Sequence, residues 1–182
     1  MTRLDQIMDV AHPRLPLFWA VSTIGLALPW MLADLGWLSW RIAETRAQTC
    51  TLASIHDGDT MRVVCDSERL QVRLHCIDAP EIAQAPWGRE SRDHLRAITP
   101  RQLQLRIQDT DRYGRTVAEI LTPEGISLNQ RMVRDGQAVV YHRYCSDPDY
   151  AQAQSEARSR GLGIWSTEGD HQTPWAYRNR SG

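Results

Sequence analysis

From Leu70 to Cys76 the apolar residues Leu70, Val72, Leu74 and Cys76 alternate with Gln71, Arg73 and His75, and the run breaks at Ile77-Asp78-Ala79-Pro80-Glu81. A two-residue period marks a strand with one apolar and one polar face. Pro80 has no N–H to give to a sheet and ends the strand. Such a strand must pair with others and cover its apolar side. Yet within nine residues, Arg73 to Glu81, it also presents a cation, a carboxylate at the strand end and a second carboxylate past the turn. That set suits a phosphate and a hard metal ion better than it suits a core.

The flanking sequence supplies partners for this strand. Cys50–His56 and Thr60–Cys65 read as two strands joined at Asp57-Gly58-Asp59, a strong tight-turn signal. A helical pattern runs from about Arg89 to Ile98, with Leu95 and Ile98 one turn apart. Gln102–Ile107 alternates cleanly as a fourth strand, Asp111-Arg112-Tyr113-Gly114 reads as a turn, and Arg115–Leu121 as a fifth strand. Five strands with a helix after the third predict a small closed sheet of the OB type. Two further helices are predicted. Leu128–Asp135 stops at Gly136, and Asp147-Pro148 offers an N-cap and first-turn proline for a helix running to about Arg160 and stopping at Gly161. Leu162, Ile164 and Trp165 are expected to fold back as an apolar lock, and the polar tail beyond Ser166 is expected to be loose apart from Trp175 and Tyr177.

Upstream lie nineteen uncharged residues, Leu15 to Ala33, and the apolar character resumes after Asp34 as far as Trp40. Nineteen helical residues reach roughly 28 Å, close to the thickness of a bilayer's hydrocarbon. Trp19, Trp30, Trp37 and Trp40 are suitable interfacial anchors. A single membrane-spanning anchor is the preferred reading; a cleaved signal peptide and a soluble apolar helix are its alternatives. The chain therefore divides into a short segment 1–14, an anchor helix 15–40, a tether 41–49, an OB domain 50–167 and a polar tail 168–182. Arginines flank both sides of the apolar run, so their count does not set its orientation.

All 21 basic residues are arginine, so any phosphate contact is made by the planar guanidinium fork. A net charge of −1 excludes a polybasic nucleic-acid binder and confines any such contact to a local site. The cysteines Cys50, Cys65, Cys76 and Cys145 form no C-x-x-C pair, which argues against structural zinc. Their even number fits two disulfides in an oxidising compartment, against four reduced thiols in the cytosol. A hairpin centred on Gly58 sets Cys50 opposite Cys65, at a spacing a bridge can span; two unpaired thiols in one hairpin are the alternative. The bridge favours a domain outside the cytoplasm, periplasmic or extracellular.

Asp57 and Asp59, two apart, can face one pocket, and Asp78 ends a neighbouring strand. Three carboxylates at one rim would form a hard oxygen site suited to calcium, left open for water or a substrate phosphate. Arg73 and Arg115 are candidate phosphate clamps, and Glu81 could hold or deprotonate an attacking water. Each residue alone has a plainer explanation: a turn for Asp-Gly-Asp, a solvated strand position for either arginine, a turn carboxylate for Glu81. His75, His94 and His171 show no metal spacing and read as structural or surface residues, and His56 as a neighbour of the site rather than a part of it.

Taken in order, Asp57-Gly58-Asp59-Thr60, Arg73 with Ile77-Asp78-Ala79-Pro80-Glu81, Asp111-Arg112-Tyr113-Gly114-Arg115, Val133-Arg134-Asp135-Gly136 and Gly163-Ile164-Trp165 resemble the staphylococcal (thermo)nuclease family, in its bacterial membrane-anchored or secreted subset. The likeness covers about Cys50 to Ser166. It implies a mainly β, α+β fold, a five-stranded OB barrel with three helices. It also implies calcium-dependent hydrolysis of DNA and RNA to 3′-phosphate ends. By the same likeness Asp59 and Asp78 ligate calcium through side chains, Ala79 through its carbonyl where the family usually has threonine, and Asp57 through water. Arg73 and Arg115 grip the scissile phosphate and Glu81 serves the water. Tyr113 matches a substrate-side aromatic, and Tyr141, His142 or Tyr144 stacks on a base. Bacterial members carry cysteines like Cys76 and Cys145, which implies a second bridge. The expectation is a sequence-nonspecific endonuclease acting as a monomer; the alternative is a catalytically silent module of the same fold that binds nucleic acid or a protein partner.

Overall fold

The computed structural model describes residues 47–181. The expected anchor 15–40 and most of the tether lie outside these residues. Among the described residues no helix is long and apolar enough to cross a membrane.

Five strands close into a barrel: β1 (Gln48–Ile55), β2 (Thr60–Cys65), β3 (Glu68–Leu74), β5 (Gln102–Thr110) and β6 (Thr116–Leu121), in the order β1-β2-β3-β6-β5. All neighbours are antiparallel except β3 and β6, which run parallel. Alternation decides the interior. Met61, Val63, Val72, Leu74, Leu103, Leu105, Ala118 and Ile120 are fully buried, while Arg62, Gln71 and Arg106 between them face outward and are exposed. Each large aliphatic side chain so buried contributes about 1.5–3 kcal/mol. The same alternation would place Ile107 inside. It is instead half exposed, because β5 outruns the barrel and its register with β6 shifts between Ile107 and Asp109.

The strand through Leu70–Cys76 stops earlier than its apolar pattern suggests. His75-Cys76 turns a corner, with Cys76 in the left-handed region at φ 69°, and the chain resumes as the short β4 (Ile77–Asp78). Long-range contacts hold the corner, among them a bond from the His75 N–H to the Ala118 carbonyl at 2.9 Å. Cys76 is bridged to Cys145, its carbonyl accepts from the Tyr141 N–H at 2.8 Å, and the His75 carbonyl accepts from the buried Asn129 Nδ2 at 2.9 Å. β4 pairs with β7 (Val139–Val140), a second sheet that two-residue strands cannot announce by period. Cys50 and Cys65 are bridged across the first hairpin.

Helix α1 (Trp87–Ile98) packs at the mouth of the first hairpin, and α2 (Leu128–Arg134) and α3 (Pro148–Ser159) follow, α3 with its expected cap and α2 with one not foreseen. Ser127 accepts from the Gln130 N–H, and Asp147 accepts from the Asp149 N–H ahead of Pro148. Gly136 ends α2 at φ +68°, a conformation glycine adopts without penalty. Ile164 is fully buried, the core of the apolar lock.

The tail differs from the expectation. Asp170–Gln172 forms a 3₁₀ turn and Pro174–Ser181 a fourth helix, α4. The tail lacks an apolar stripe and is secured instead by polar and stacking contacts. His171 is buried against Trp87, ring centroids 4.4 Å apart, and its Nε2 lies 2.9 Å from the Ile164 carbonyl. Gln84 Nε2 donates to the Asp170 carbonyl at 2.9 Å.

Candidate active site

The acidic corner is built by three elements meeting at one end of the barrel. β2 begins immediately after Asp59, β3 carries Arg73, and β4 ends at Asp78. The register pairs Thr60 with Arg73, which brings Asp59 beside the end of β3. Gly58 earns its place by close approach rather than by φ. A Cβ there would collide with Ser91 Oγ of α1 and lie 2.7 Å from the Ala79 Cβ. Gly88 acts likewise, since a Cβ there would run into the Glu81 carbonyl. The two glycines let α1 back directly onto the loops that carry Asp59 and Glu81.

Arg73 joins the carboxylates. Its Nη1 lies 2.8 Å from Asp59 Oδ2 and its Nη2 2.8 Å from Asp78 Oδ1. Asp59 Oδ2 also accepts from the Ala79 N–H at 2.8 Å, and its Oδ1 accepts from Thr60 Oγ1 at 3.1 Å. Asp78 is fully buried and Asp59 nearly so. Burial, and after it the Asp59 charge, push Asp78 up to about 6 despite Arg73 and Arg178 beside it. The same two causes push Asp57 up to about 7. Carboxylates crowded in this way bind a cation more readily than they bear each other's charge.

The expected three-carboxylate rim is not formed as such: among the described residues no three His, Cys, Asp or Glu side chains are grouped to hold a metal ion. Asp57 turns back, its Oδ1 accepting the Asp59 N–H at 3.0 Å, and Glu81 is engaged by Arg178. What remains is a pair, Asp59 and Asp78, aimed at one guanidinium. This pair fits calcium in kind: both donors are hard oxygens, they are buried, and a positive group already lies between them.

Arg115 immediately precedes the neighbouring strand β6. β3 pairs with β6 at Arg73↔Val117, so Arg115 lies two residues upstream on the same outer face. Its Nε donates to Asp111 Oδ2 at 2.7 Å, and its guanidinium lies 5.6 Å from the Tyr113 ring centre. Tyr113 is 68% exposed and carries Arg112 on its ring as well. Tyr144, 59% exposed, meets Tyr141 edge-on at 5.0 Å, and His142 is exposed between them. His56 is exposed, its Nε2 3.1 Å from Ser54 Oγ. The structure thus gathers Asp59, Arg73, Asp78 and Glu81 at one point and leaves Arg115, Tyr113, His142 and Tyr144 on loops around it.

One residue of this site has no signal in the sequence. Arg178 of α4 places Nη1 2.7 Å from Glu81 Oε1 and Nη2 2.9 Å from both oxygens of Asp78. Burial alone would ease its proton off, but Glu81 and Asp78 more than offset this and hold it charged. An arginine in a polar tail, nearly a hundred positions from its partners, has no periodicity or motif to mark it.

The staphylococcal nuclease homologue family model matches residues 71–167. An uncharacterized endonuclease of Escherichia coli O157:H7 is 38% identical over 125 residues, covering 68% of this chain and 80% of that protein. A micrococcal nuclease of Shigella flexneri is 38% identical over 139 residues, covering 70% of this chain and 78% of its own. An uncharacterized endonuclease of Haemophilus influenzae is 37% identical over 119 residues, 64% of this chain and 66% of its own. With the closed barrel, its buried aspartate pair and the bridging arginine, these likenesses make the chain a member of the staphylococcal nuclease homologue family.

Proposed function

We propose that the protein is a calcium-dependent, sequence-nonspecific endonuclease that hydrolyses DNA and RNA phosphodiesters to 3′-phosphate ends. The observation that carries this is Arg73 spanning Asp59 and Asp78 at 2.8 Å each, with Glu81 three residues further on. Asp59 and Asp78, with the Ala79 carbonyl, would hold calcium, Asp57 assisting through water, and the ion supplies positive charge to a phosphate oxygen. Arg73, beside its contacts to Asp59 and Asp78, keeps further N–H groups for the phosphate, and Arg115, just ahead of the next strand, offers a second guanidinium. Glu81 orients a water and accepts its proton as the water oxygen bonds to phosphorus. The bond to the 5′-oxygen breaks, that oxygen leaves with the bonding electrons and takes a proton from water, and the phosphate stays on the 3′ side. Tyr113, Tyr141, His142 and Tyr144 offer stacking surfaces that every base satisfies, and clamps on the backbone read no sequence.

A second reading, a module that binds without cutting, draws on one observation: Arg178 engages Asp78 and Glu81. The presence of Asp59, Arg73, Asp78, Glu81 and Arg115 together speaks for the enzyme. Plasmid incubated with the full chain decides between them. Degradation with calcium, none with chelator, and ends extendable by polymerase only after phosphatase treatment are expected; uncut plasmid under both conditions, or cutting indifferent to chelator, contradicts the proposal.

We further propose that the 15–40 stretch anchors the protein in a membrane with the catalytic domain outside the cytoplasm, as a monomer. The apolar length of that stretch and the two disulfides support this reading. Carbonate-resistant sedimentation with membranes is expected, and full release of the intact chain by carbonate contradicts it.

A further inference from the structure

Helix α4 meets both halves of the site at once. Arg178 donates to Glu81 Oε1 and to both oxygens of Asp78. Trp175, one helical turn earlier, stacks on Tyr141 with ring centres 6.0 Å apart and planes inclined by 11°. The segment ahead of the helix is pinned by the Trp87–His171 stack and by the Gln84 bond to the Asp170 carbonyl. Arg180 closes back on Asp170 at 2.7 Å. The helix itself is less committed: the Arg178 side chain is 38% exposed.

Two roles are open to a guanidinium here, helper or occupant. Arg178 turns both terminal nitrogens onto carboxylates. Arg73 also sets each terminal nitrogen on a carboxylate, Nη1 on Asp59 and Nη2 on Asp78, so such contacts alone do not make an occupant. Arg178 is set apart by the atoms it covers. Both oxygens of Asp78, and one of Glu81, are engaged by it. These are atoms the proposed reaction needs for the cation and for the water, and Tyr141 is a face it needs for a base. Substrate and α4 therefore compete for the same groups.

Building on the nuclease reading above, we propose that α4 is an autoinhibitory cap: Arg178 stands in for the cation on Asp78 and for the water on Glu81, and Trp175 stands in for a base on Tyr141. The cap opens when calcium and polynucleotide together outbid it. Ligands that bind the open form draw the equilibrium toward it, and weakening the cap tightens their binding by the same linkage.

Calcium binding to the full chain by isothermal titration calorimetry, in the wild type, Arg178→Ala and Trp175→Ala, tests this, with plasmid cleavage measured alongside. Arg178→Ala is expected to bind calcium about tenfold more tightly, a gain on the order of one strong ion-pair contact. Its cleavage rate should exceed the wild type's at low calcium and converge with it at saturation. Trp175→Ala should shift calcium affinity in the same direction by less and lower KM for plasmid. Thermal melts establish that both variants are folded. Unchanged or weaker calcium binding in both variants, beside a wild type that binds and cuts, overturns the cap and leaves the nuclease reading standing. A raised KM in Arg178→Ala at unchanged calcium affinity makes Arg178 a substrate clamp and also overturns it. A wild type and variants that neither bind calcium nor cut overturn the nuclease reading, and the cap with it.

Discussion

Arg73 is the side chain on which the acidic corner depends most, because one planar group spans two carboxylates that would otherwise repel. Lysine cannot reproduce this, having a single ammonium and no fork. Arg73→Lys is expected to lower kcat at saturating calcium by about 100-fold or more, with the loss measured by initial rates of oligonucleotide cleavage. Asp57 shows the opposite economy. Its carboxyl holds a proton more tightly in the fold, at about 7, than in the unfolded chain, at 3.8. Between those values the native state carries the extra proton, so stability falls as pH rises through that window and stays lowered above it. In chelator, Asp57→Asn keeps an acceptor for the Asp59 N–H and sheds the charge. A melting temperature raised by several degrees at pH 8 and unchanged at pH 3.5 is the expected result of differential calorimetry.

Elements position the site through contacts as much as through period. Gly88 brings the first turn of α1 against the Glu81 carbonyl, and a methyl there has nowhere to go. Gly88→Ala should push that loop outward, cost about 1–3 kcal/mol in urea denaturation and cut activity at least tenfold without touching a charged group. Every barrel strand was legible in the sequence because each carries an apolar period or a turn signal. Helix α1 was legible from the spacing of Leu95 and Ile98, and α2 and α3 from terminal glycines and, for α3, the Asp147-Pro148 start. The corner at His75-Cys76 was not, since alternation runs straight through it and long-range contacts, the Cys145 bridge and the bonds to Asn129, Tyr141 and Ala118 among them, bend it. Neither was Gly58, which reads as a turn residue and serves as a point of close approach to Ser91. Asp59, Arg73, Asp78 and Glu81 were legible as an ordered set resembling a family. Arg178 was not, and Trp175 was legible only as a fixed point in an otherwise loose tail: α4 is made by long-range ion pairs and stacking, and neither leaves a local pattern.

Across the whole molecule, one of the two disulfides reinforces strands the barrel already pairs and the other joins regions the barrel alone would not. Cys50–Cys65 closes one hairpin, and Cys76–Cys145 closes a loop of 69 positions between the active-site strand and the segment before α3. In the chain-entropy model the longer loop stabilises by about 4 kcal/mol. Cys76→Ser with Cys145→Ser is expected to shift the urea midpoint down by more than the corresponding pair at Cys50 and Cys65. The enclosed loop contains α1, β5, β6 and α2, so the bridge fixes the acidic corner relative to most of the fold. The account stands on that corner being the place where phosphodiesters are cut. Its most direct test is the cleavage rate of a plasmid at saturating calcium by the wild type, Arg73→Ala and Glu81→Ala, each confirmed folded by its melt. The account predicts a rate lower by about 1,000-fold or more in each variant; rates equal to the wild type's in both would contradict it.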